Sequence, residues 1–237
     1  MISILIPLRN EYENLDGIER IFKDNFHQIK HEVILVNDYS TDNTLNKAKE
    51  IAEKNKNFVV LNNLKEGLGG AINLGIEKSN GKFVCIMMAD LSDDINDLKK
   101  YYNLMEENNY DAVFGSRFTR DSIVEGYPIK KLILNRIFNF FVSLIFLNKY
   151  NDYTNAFKIY KTSMIKNFIP LISESFNVFL ELPLKVISRK YKFKTMPINW
   201  RTRKKGEAKF KIKELRSKYL FTLIYCFIEK ILLNKEK

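Results

Sequence analysis

The first half of this 237-residue chain alternates short apolar segments with segments of helical periodicity. The apolar, β-favouring segments predict five strands, at Ser3–Leu8, Glu32–Val36, Phe58–Leu61, Phe83–Met87 and Ala112–Phe114. The intervening segments predict four helices, at Glu11–Phe26, Thr44–Lys54, Ala71–Lys78 and Ile95–Asn108. Such alternation builds βαβ units, so we expect an α/β fold with a mainly parallel sheet. Right-handed crossovers place the loops that follow the strands along one edge of that sheet.

Three carboxylates follow the fourth predicted strand, in the segment Met-Ala-Asp-Leu-Ser-Asp-Asp at residues 88–94. Ligands of open α/β sheets bind at the carboxyl ends of the strands. Mg²⁺ and Mn²⁺ prefer oxygen ligands, including those of substrate phosphates. We therefore expect Asp90 to bind a metal ion or a diphosphate. Ser and Asp are also favoured helix caps, so Ser92 or Asp93 can serve as the cap of the helix that begins near Ile95.

The other predicted strands also end in polar residues, which predicts a site along this edge. These residues are Asn10-Glu11, Asn37-Asp38, Lys65-Glu66-Gly67 and Gly115-Ser116-Arg117. The glycines at residues 67, 69 and 70 do not match a dinucleotide fingerprint, because they follow the third strand and Ile72 replaces the third glycine. No phosphate-loop lysine follows them either. This excludes NAD and ATP chemistry, and we expect the glycines to let a helix begin close to a ligand loop.

The net charge of +11 is concentrated late in the chain, where residues 185–218 hold fourteen Lys or Arg and two Glu. Such a segment favours an anionic partner, whether nucleic acid, lipid headgroups or a phosphorylated substrate. No nucleic-acid-binding signature is present, and an acidic edge without a metal would repel phosphates, so we expect no nucleic acid. Cys85 and Cys226 are expected to be free thiols, and the N-terminus predicts a strand rather than a signal peptide, which favours the cytoplasm.

Two apolar segments are too short to span a bilayer, which needs about 20 residues. Residues 137–148 and 219–228 carry no charge. They predict an interfacial helix at 132–148 and an amphipathic helical tail at 212–237. Packing against protein, including a possible homodimer, is the alternative for each segment. In the tail, helical spacing predicts one apolar stripe, formed by Ile212, Leu215, Tyr219, Leu223, Phe227 and Ile231.

Seven motifs occur in the order and spacing of family 2 glycosyltransferases, which residues 1–211 resemble. They are Pro7–Glu11, Val36–Thr44, Gly67–Gly69, Met88–Ser92, Gly115–Phe118, Thr154–Lys158 and Arg203–Phe210. The last two resemble the subgroup that contains dolichol-phosphate mannose synthase and bacterial polyprenyl-phosphate glycosyltransferases.

The resemblance implies a catalytic GT-A domain over residues 1–211, a UDP- or GDP-linked sugar donor, Mg²⁺ or Mn²⁺, and inversion at the anomeric carbon. Carried over residue by residue, the nucleotide-sugar site comprises Pro7, Arg9, Glu11, Asp38, Gly67 and Asp90. The metal site comprises Asp90, Ser92 and Asp93. The catalytic residues are Asp90, Arg117, Arg203 and Lys209.

The sequence departs from the family pattern at three of these positions. Met88 and Asn37 stand where the family usually has Asp, and Arg9 stands where Tyr is common. Asp90 is left as the principal metal ligand, which suffices for Mg²⁺ when phosphate oxygens and water complete the coordination.

The basic segment favours a polyprenyl-phosphate acceptor, which is already anionic and needs no general base. A sugar-hydroxyl acceptor would need one, for which Asp94, Asp152 and Glu181 are candidates. The resulting hypothesis is an inverting sugar transfer to a lipid phosphate by a peripheral protein at the inner face of the membrane. The alternatives are transfer to a sugar hydroxyl in surface polysaccharide assembly and, from another class, a nucleotidyltransferase or a basic nucleic-acid-binding protein.

Overall fold

The computed structural model describes residues 1–203 and 212–235. Its strands are β1 (Ile2–Leu8), β2 (His31–Asn37), β3 (Phe58–Asn62), β4 (Phe83–Ile86), β5 (Ala112–Ser116), β6 (Ile123–Glu125), β7 (Lys158–Lys161), β8 (Phe193–Pro197) and β9 (Asn199–Arg201). Its helices are α1 (Leu15–Asn25), α2 (Thr44–Lys54), α3 (Leu68–Lys78), α4 (Ile95–Glu107), α5 (Ile129–Phe146), α6 (Thr162–Ile165), α7 (Val178–Ser188) and α8 (Ile212–Lys235).

Within the described residues, seven strands form one sheet in the order β3-β2-β1-β4-β7-β5-β8, and β6 pairs with β9 in a small second sheet. Every pairing in the main sheet is parallel except those of β7. All seven residues of β1 are buried, as expected for a parallel strand covered on both faces. The mainly parallel α/β sheet predicted from the sequence is confirmed.

The antiparallel strand β7 was not predicted, and neither were β8 and α7. Lys158 at the start of β7 pairs with Ile86 at the end of β4 and with Phe114 near the end of β5. Residues just before β7 therefore reach the same edge of the sheet as the loops that follow β4 and β5.

The two faces of the sheet carry separate apolar clusters. One face packs against α1, α2 and α4, through residues such as Ile18, Ile51 and Leu98. The other packs against α3, α5, α7 and α8, through residues such as Ile72, Val142, Leu180 and Cys226. Cys85 and Cys226 are both buried free thiols, as predicted.

Helix α8 packs against α7, and its side chains are described for residues 217–233. Tyr219 and Leu223 contact the core, and Cys226 is fully buried. On the other side of the same helix, residues such as Phe221 and Ile224 are exposed. The helix is therefore apolar on both sides, whereas the sequence predicted a single apolar stripe. Ile212 and Leu215 of that stripe lie outside the described side chains.

Candidate active site

The loops after β1 and β2 are joined to each other at the carboxyl edge of the sheet. The Asp38 amide donates to the Leu8 carbonyl over 2.7 Å, and the Thr41 amide donates to Asn10 Oδ1 over 2.8 Å. Asn10 has a φ of 53°, in the left-handed region that Asn tolerates better than most residues. This arrangement fixes the mouth of the crevice where β1 and β2 end.

Asp38 orders the third loop as well. Its buried Oδ1 accepts hydrogen bonds from the Gly67 amide and from Asn63 Nδ2, each over 2.8 Å. Arg9 lies above it, with Nη1 3.6 Å from Asp38 Oδ2 and Nη2 2.7 Å from Glu66 Oε1. Arg9, Asp38 and Glu66 therefore form a charged cluster at the crevice mouth. Pro7 is buried within β1 below it.

The glycines at the start of α3 allow a close approach of backbone from another segment. A Cβ on Gly69 would lie 1.8 Å from the Ser173 carbonyl oxygen, and one on Gly67 would lie 2.7 Å from that of Glu174. Gly67 also has a φ of 115°, which L side chains rarely adopt. The segment that approaches them is 173–174, which precedes α7.

The loop after β4 turns sharply around Asp90. Leu91 has a φ of 58°, and Asp90 Oδ1 accepts the Ser92 amide over 3.1 Å. The cap of α4 is Asp94, which accepts the Asn96 amide over 2.8 Å, rather than Ser92 or Asp93 as expected. Ser92 and Asp93 are thus free of the capping role.

Arg203 joins the loops of β1 and β4. Its Nη2 lies 3.1 Å from Glu11 Oε1, and its Nε lies 3.6 Å from Asp90 Oδ2. Three of the residues singled out from distant parts of the sequence therefore meet in one crevice. Lys209, predicted to act with them, lies outside the described residues.

Asp93 is buried beside this crevice, and its Oδ2 has no hydrogen-bond partner among the described residues. Burial, reinforced by the charge of Asp90, raises its pKa to about 7, against partial compensation from the Met88 amide. Met88 itself packs against the apolar core. An orphaned carboxylate oxygen near a second carboxylate suits a hard cation.

The protein itself supplies few of the ligands that such a cation needs. No cluster of three or more His, Cys, Asp or Glu side chains with metal-binding geometry occurs in the parts of the chain that the structure describes. Asp90 and Asp93 can supply oxygen ligands, and phosphate oxygens of a bound ligand would have to complete the coordination. That is the usual way in which Mg²⁺ is held in phosphate-transferring sites.

Arg117 is held by Asp152, which is fully buried. The backbone amide and Nε of Arg117 each donate to Asp152 Oδ2 over 2.9 Å, and Nη2 of Arg117 donates to Asp152 Oδ1 over 2.7 Å. Burial, the largest single effect, lowers the pKa of Arg117, but the charge and hydrogen bonds of Asp152 together with the nearby Tyr127 and Tyr150 outweigh it, and the net shift is upward. The rings of Phe118, Tyr127 and Trp200 lie 5.3–5.8 Å from the guanidinium carbon. Arg117 therefore has one fixed orientation beside the crevice.

Lys158 is a buried cation that sequence reasoning did not single out. Its Nζ donates to the Tyr153 carbonyl over 3.1 Å and to the Asn155 carbonyl, so it holds the loop that contains Asp152. Burial lowers its pKa to about 7. The sequence signal that could have identified Lys158 is its position at the end of the Thr154–Lys158 motif.

Each of the three candidate general bases has another partner. Asp94 caps α4 and also accepts from Asn199 Nδ2, and Asp152 is paired with Arg117. Glu181 is fully buried on α7, where it accepts the amides of residues 172 and 173 and pairs with Lys185. None of the three is therefore presented to the crevice as an uncommitted base.

An apolar surface covers the outer sides of α5 and α8. The helices contact each other through Phe138 with Tyr219 and Phe146 with Phe227. Many large apolar side chains on them are at least 50% exposed: Ile129, Ile133, Leu134, Ile137, Phe140, Phe141 and Leu144 on α5, and Leu220, Phe221, Ile224, Ile228 and Leu232 on α8. Within the described ranges, no helix has the length and apolarity needed to cross a bilayer.

This sheet, with acidic and basic side chains gathered at its carboxyl edge, defines a GT-A fold. The chain belongs to the family "Glycosyl transferase family 2", whose profile matches residues 3–169. The resemblance drawn from seven motifs is confirmed.

Two curated relatives act on lipid phosphates according to their names. The dolichol-phosphate mannosyltransferase of Pyrococcus furiosus is 25% identical over 217 residues, which cover 90% of this chain and 60% of that protein. The dodecaprenyl-phosphate galacturonate synthase of Rhizobium johnstonii is 28% identical over 169 residues, 70% of this chain and 49% of that protein. The chain thus matches about half to three fifths of the length of these relatives.

Solved structures support the fold. Glucosyl-3-phosphoglycerate synthase from Mycobacterium tuberculosis, in complex with UDP, superposes with a TM-score of 0.70 at 13% identity, covering 96% of this chain and 80% of that one. The same enzyme in complex with Mn²⁺, UDP and glucosyl-3-phosphoglycerate gives a TM-score of 0.70 at 14% identity, covering 95% and 79%.

Proposed function

We propose that this protein transfers a sugar, with inversion, from a nucleotide-sugar to a polyprenyl-phosphate-type lipid at the inner face of the membrane. The observation that carries the proposal is the meeting of Arg203 with Asp90 and Glu11 in the crevice. A guanidinium beside a carboxylate supports the binding of a donor diphosphate, with a metal ion, in this part of the crevice. The names of the two curated relatives support the lipid-phosphate acceptor.

The donor nucleotide would bind between the loops after β1, β2 and β3. Pro7, Arg9, Glu11, Asp38 and Gly67, which lie in or next to these loops, are proposed to bind it, and the UDP- and GDP-linked alternatives both stay open. Asp90, with Asp93 and Ser92, would hold Mg²⁺ or Mn²⁺. Such an ion, when bound, neutralises charge that develops on the departing nucleoside diphosphate.

The basic side chains would bind and orient phosphate groups on both sides of the reacting carbon. Arg203 can reach the diphosphate, because its guanidinium fork matches phosphate oxygens. Arg117, oriented by Asp152, and Lys209 are proposed to face the acceptor. A phosphate acceptor attacks as an anion, so the commitment of Asp94, Asp152 and Glu181 to other partners is compatible with the reaction.

The exposed faces of α5 and α8 are proposed to lie in the membrane interface. Contiguous exposed apolar surface on this scale marks an interaction site. Lys130 and Lys131 lie in the first turn of α5 and Lys149 follows its last turn, where they can contact anionic headgroups. This would bring the crevice to the surface from which a lipid phosphate projects.

The test is an assay of UDP- and GDP-sugars with a polyprenyl phosphate and with the free polyprenol, followed by mass spectrometry. We expect a glycosylated lipid phosphate and a released nucleoside diphosphate. Asp90→Ala should reduce turnover by roughly 10²–10³-fold, the loss typical of removing a group that stabilises transition-state charge. Asp24→Ala, an exposed carboxylate on α1, is the matched control and should retain activity.

Three outcomes would contradict the proposal. Release of pyrophosphate would indicate a nucleotidyltransferase. Equal transfer to polyprenol and to its phosphate would indicate a hydroxyl acceptor. Full turnover of Asp90→Ala at saturating Mg²⁺ or Mn²⁺ would remove Asp90 from the site.

A further inference from the structure

Helix α5 has the reverse of the usual polarity of a surface helix. Its outer side is apolar and exposed, with Phe140 65% and Leu144 59% exposed. Its inner side carries Asn135, Asn139 and Ser143, spaced four residues apart so that they share one face. A helix of a water-soluble surface would place these polar residues outwards.

The polar stripe of α5 holds one segment, residues 150–154. Asn139, which is 1% exposed, accepts the Tyr153 amide on its Oδ1 over 2.6 Å. Asn135 Oδ1 accepts from Thr154 Oγ1 over 3.2 Å, and Ser143 Oγ donates to the Tyr150 carbonyl over 3.0 Å. Three consecutive turns of the helix thus hydrogen-bond to three of the five residues of this segment, at both of its ends.

That segment contains Asp152, which receives three hydrogen bonds from Arg117. A second connection runs through Tyr127, whose hydroxyl accepts from Asn135 Nδ2 over 2.8 Å. The Tyr127 ring lies 5.1 Å from that of Trp200, and Trp200 forms a β-bridge with Asp93. The first connection runs from α5 to Arg117, a candidate acceptor-binding residue, and the second runs to Asp93, a candidate metal ligand.

We propose that Asn135 and Asn139 are positioning residues that couple membrane binding by α5 to the arrangement of Arg117 beside the crevice. This rests on the proposed function. In water, exposing the apolar side of α5 costs free energy, which favours arrangements that cover this side. Contact with lipid removes that cost, so lipid stabilises the arrangement in which the polar stripe faces segment 150–154. A ligand that binds one arrangement better shifts the population towards it.

The first test measures transfer to a short-chain, water-soluble polyprenyl phosphate with and without vesicles of phosphatidylglycerol and phosphatidylcholine. We expect the vesicles to raise kcat at least about fivefold, the lower end of typical coupling between sites, with the donor KM unchanged. Asn139→Ala should still co-sediment with the vesicles but lose this increase. Asn135→Ala, at a half-buried position, is the second variant in case Asn139→Ala does not fold.

Asn73→Ala is the matched control. Asn73 also lies on a helix and also fixes a loop, because its Oδ1 accepts the Leu171 amide over 2.8 Å. A general loss of stability would lower the vesicle effect in both variants, whereas the proposal predicts that Asn73→Ala keeps it. Loss in Asn73→Ala, or a full vesicle effect in Asn139→Ala and Asn135→Ala, would overturn the proposal.

A second readout does not depend on transfer. Trp200 is the chain's single tryptophan, so its fluorescence reports on the end of the connection. Vesicles should shift its emission in the wild type but not in Asn135→Ala, although both bind. A shift that persists in Asn135→Ala would indicate direct lipid contact and contradict the coupling. If vesicles shift the emission of the wild type but not of Asn135→Ala, and no sugar is transferred, the proposed function is refuted and the coupling stands. If sugar is transferred but vesicles change neither kcat nor the emission, the proposed function stands and the coupling is refuted.

Discussion

The buried pair of Arg117 and Asp152 allows a prediction with a defined magnitude. Asp152 is fully buried and Arg117 has a side-chain exposure of 9%, so Asp152→Ala leaves a cation without water or counter-charge. Breaking such a pair costs about 3–5 kcal/mol. For a chain of this size, each kcal/mol lowers Tm by about 2–4 °C, so we expect a fall on the order of 10 °C.

The free energy of unfolding is measured by urea denaturation and Tm by heating, each followed by circular dichroism and by the fluorescence of Trp200, which lies against Arg117. Glu106→Ala is the control, since it breaks the exposed pair with Lys82 and should cost less than about 1 kcal/mol. Adding Arg117→Met to Asp152→Ala should restore more than half of the loss, because the unpaired charge is removed. Equal costs for Asp152→Ala and Glu106→Ala would refute the reasoning.

Two further predictions concern Asp93 and the apolar face. Burial raises the pKa of Asp93 from 3.8 to about 7, so between these values the folded protein holds a proton that the unfolded chain has lost. Stability of the metal-free protein should fall by about 1.4 kcal/mol per pH unit as pH rises through this range. Urea midpoints at pH 5 and pH 8 should show this fall, and Asp93→Asn should remove it; an equal fall in that variant would contradict the assignment. Phe140→Ser combined with Phe221→Ser should reduce vesicle co-sedimentation at least about tenfold, because each exposed ring contributes about 1.5–3 kcal/mol when buried. Val59→Ser, at an exposed apolar position on β3, should leave co-sedimentation unchanged. If the double variant bound vesicles as well as Val59→Ser does, the membrane contact would have to lie elsewhere.

The sequence predicted the parallel part of the sheet well, because central strands such as β1 are continuous apolar runs between helices of clear periodicity. It also selected Glu11, Asp38, Asp90 and Arg203, which the fold brings to one edge. These residues follow strands or lie in recognisable motifs, so local patterns were sufficient to find them.

Contacts between residues far apart in the chain could not be predicted from local patterns. The ion pair of Asp152 with Arg117 depends on β7 being antiparallel to its neighbours, and the sequence of a four-residue strand does not indicate the direction of that strand. The hydrogen bonds of Asn135 and Asn139 to segment 150–154 could not be predicted for a similar reason. An apolar helix with a few amides gives no indication of which of its sides faces the core.

The position of β7 also determines when the sheet can be completed. β4 and β5 are not neighbours, and β7 separates them. During synthesis, β5 therefore has no strand partner until residues 158–161, and then β8, have been made.

Helix α5 lies in the connection between β5 and β7, so it leaves the ribosome before the centre of the sheet has closed. Pairing over such sequence separations is slow, and an apolar helix exposed in the meantime is prone to aggregation. Early contact of α5 with a membrane would protect the growing chain during this interval, so the surface proposed to bind the membrane would serve folding as well.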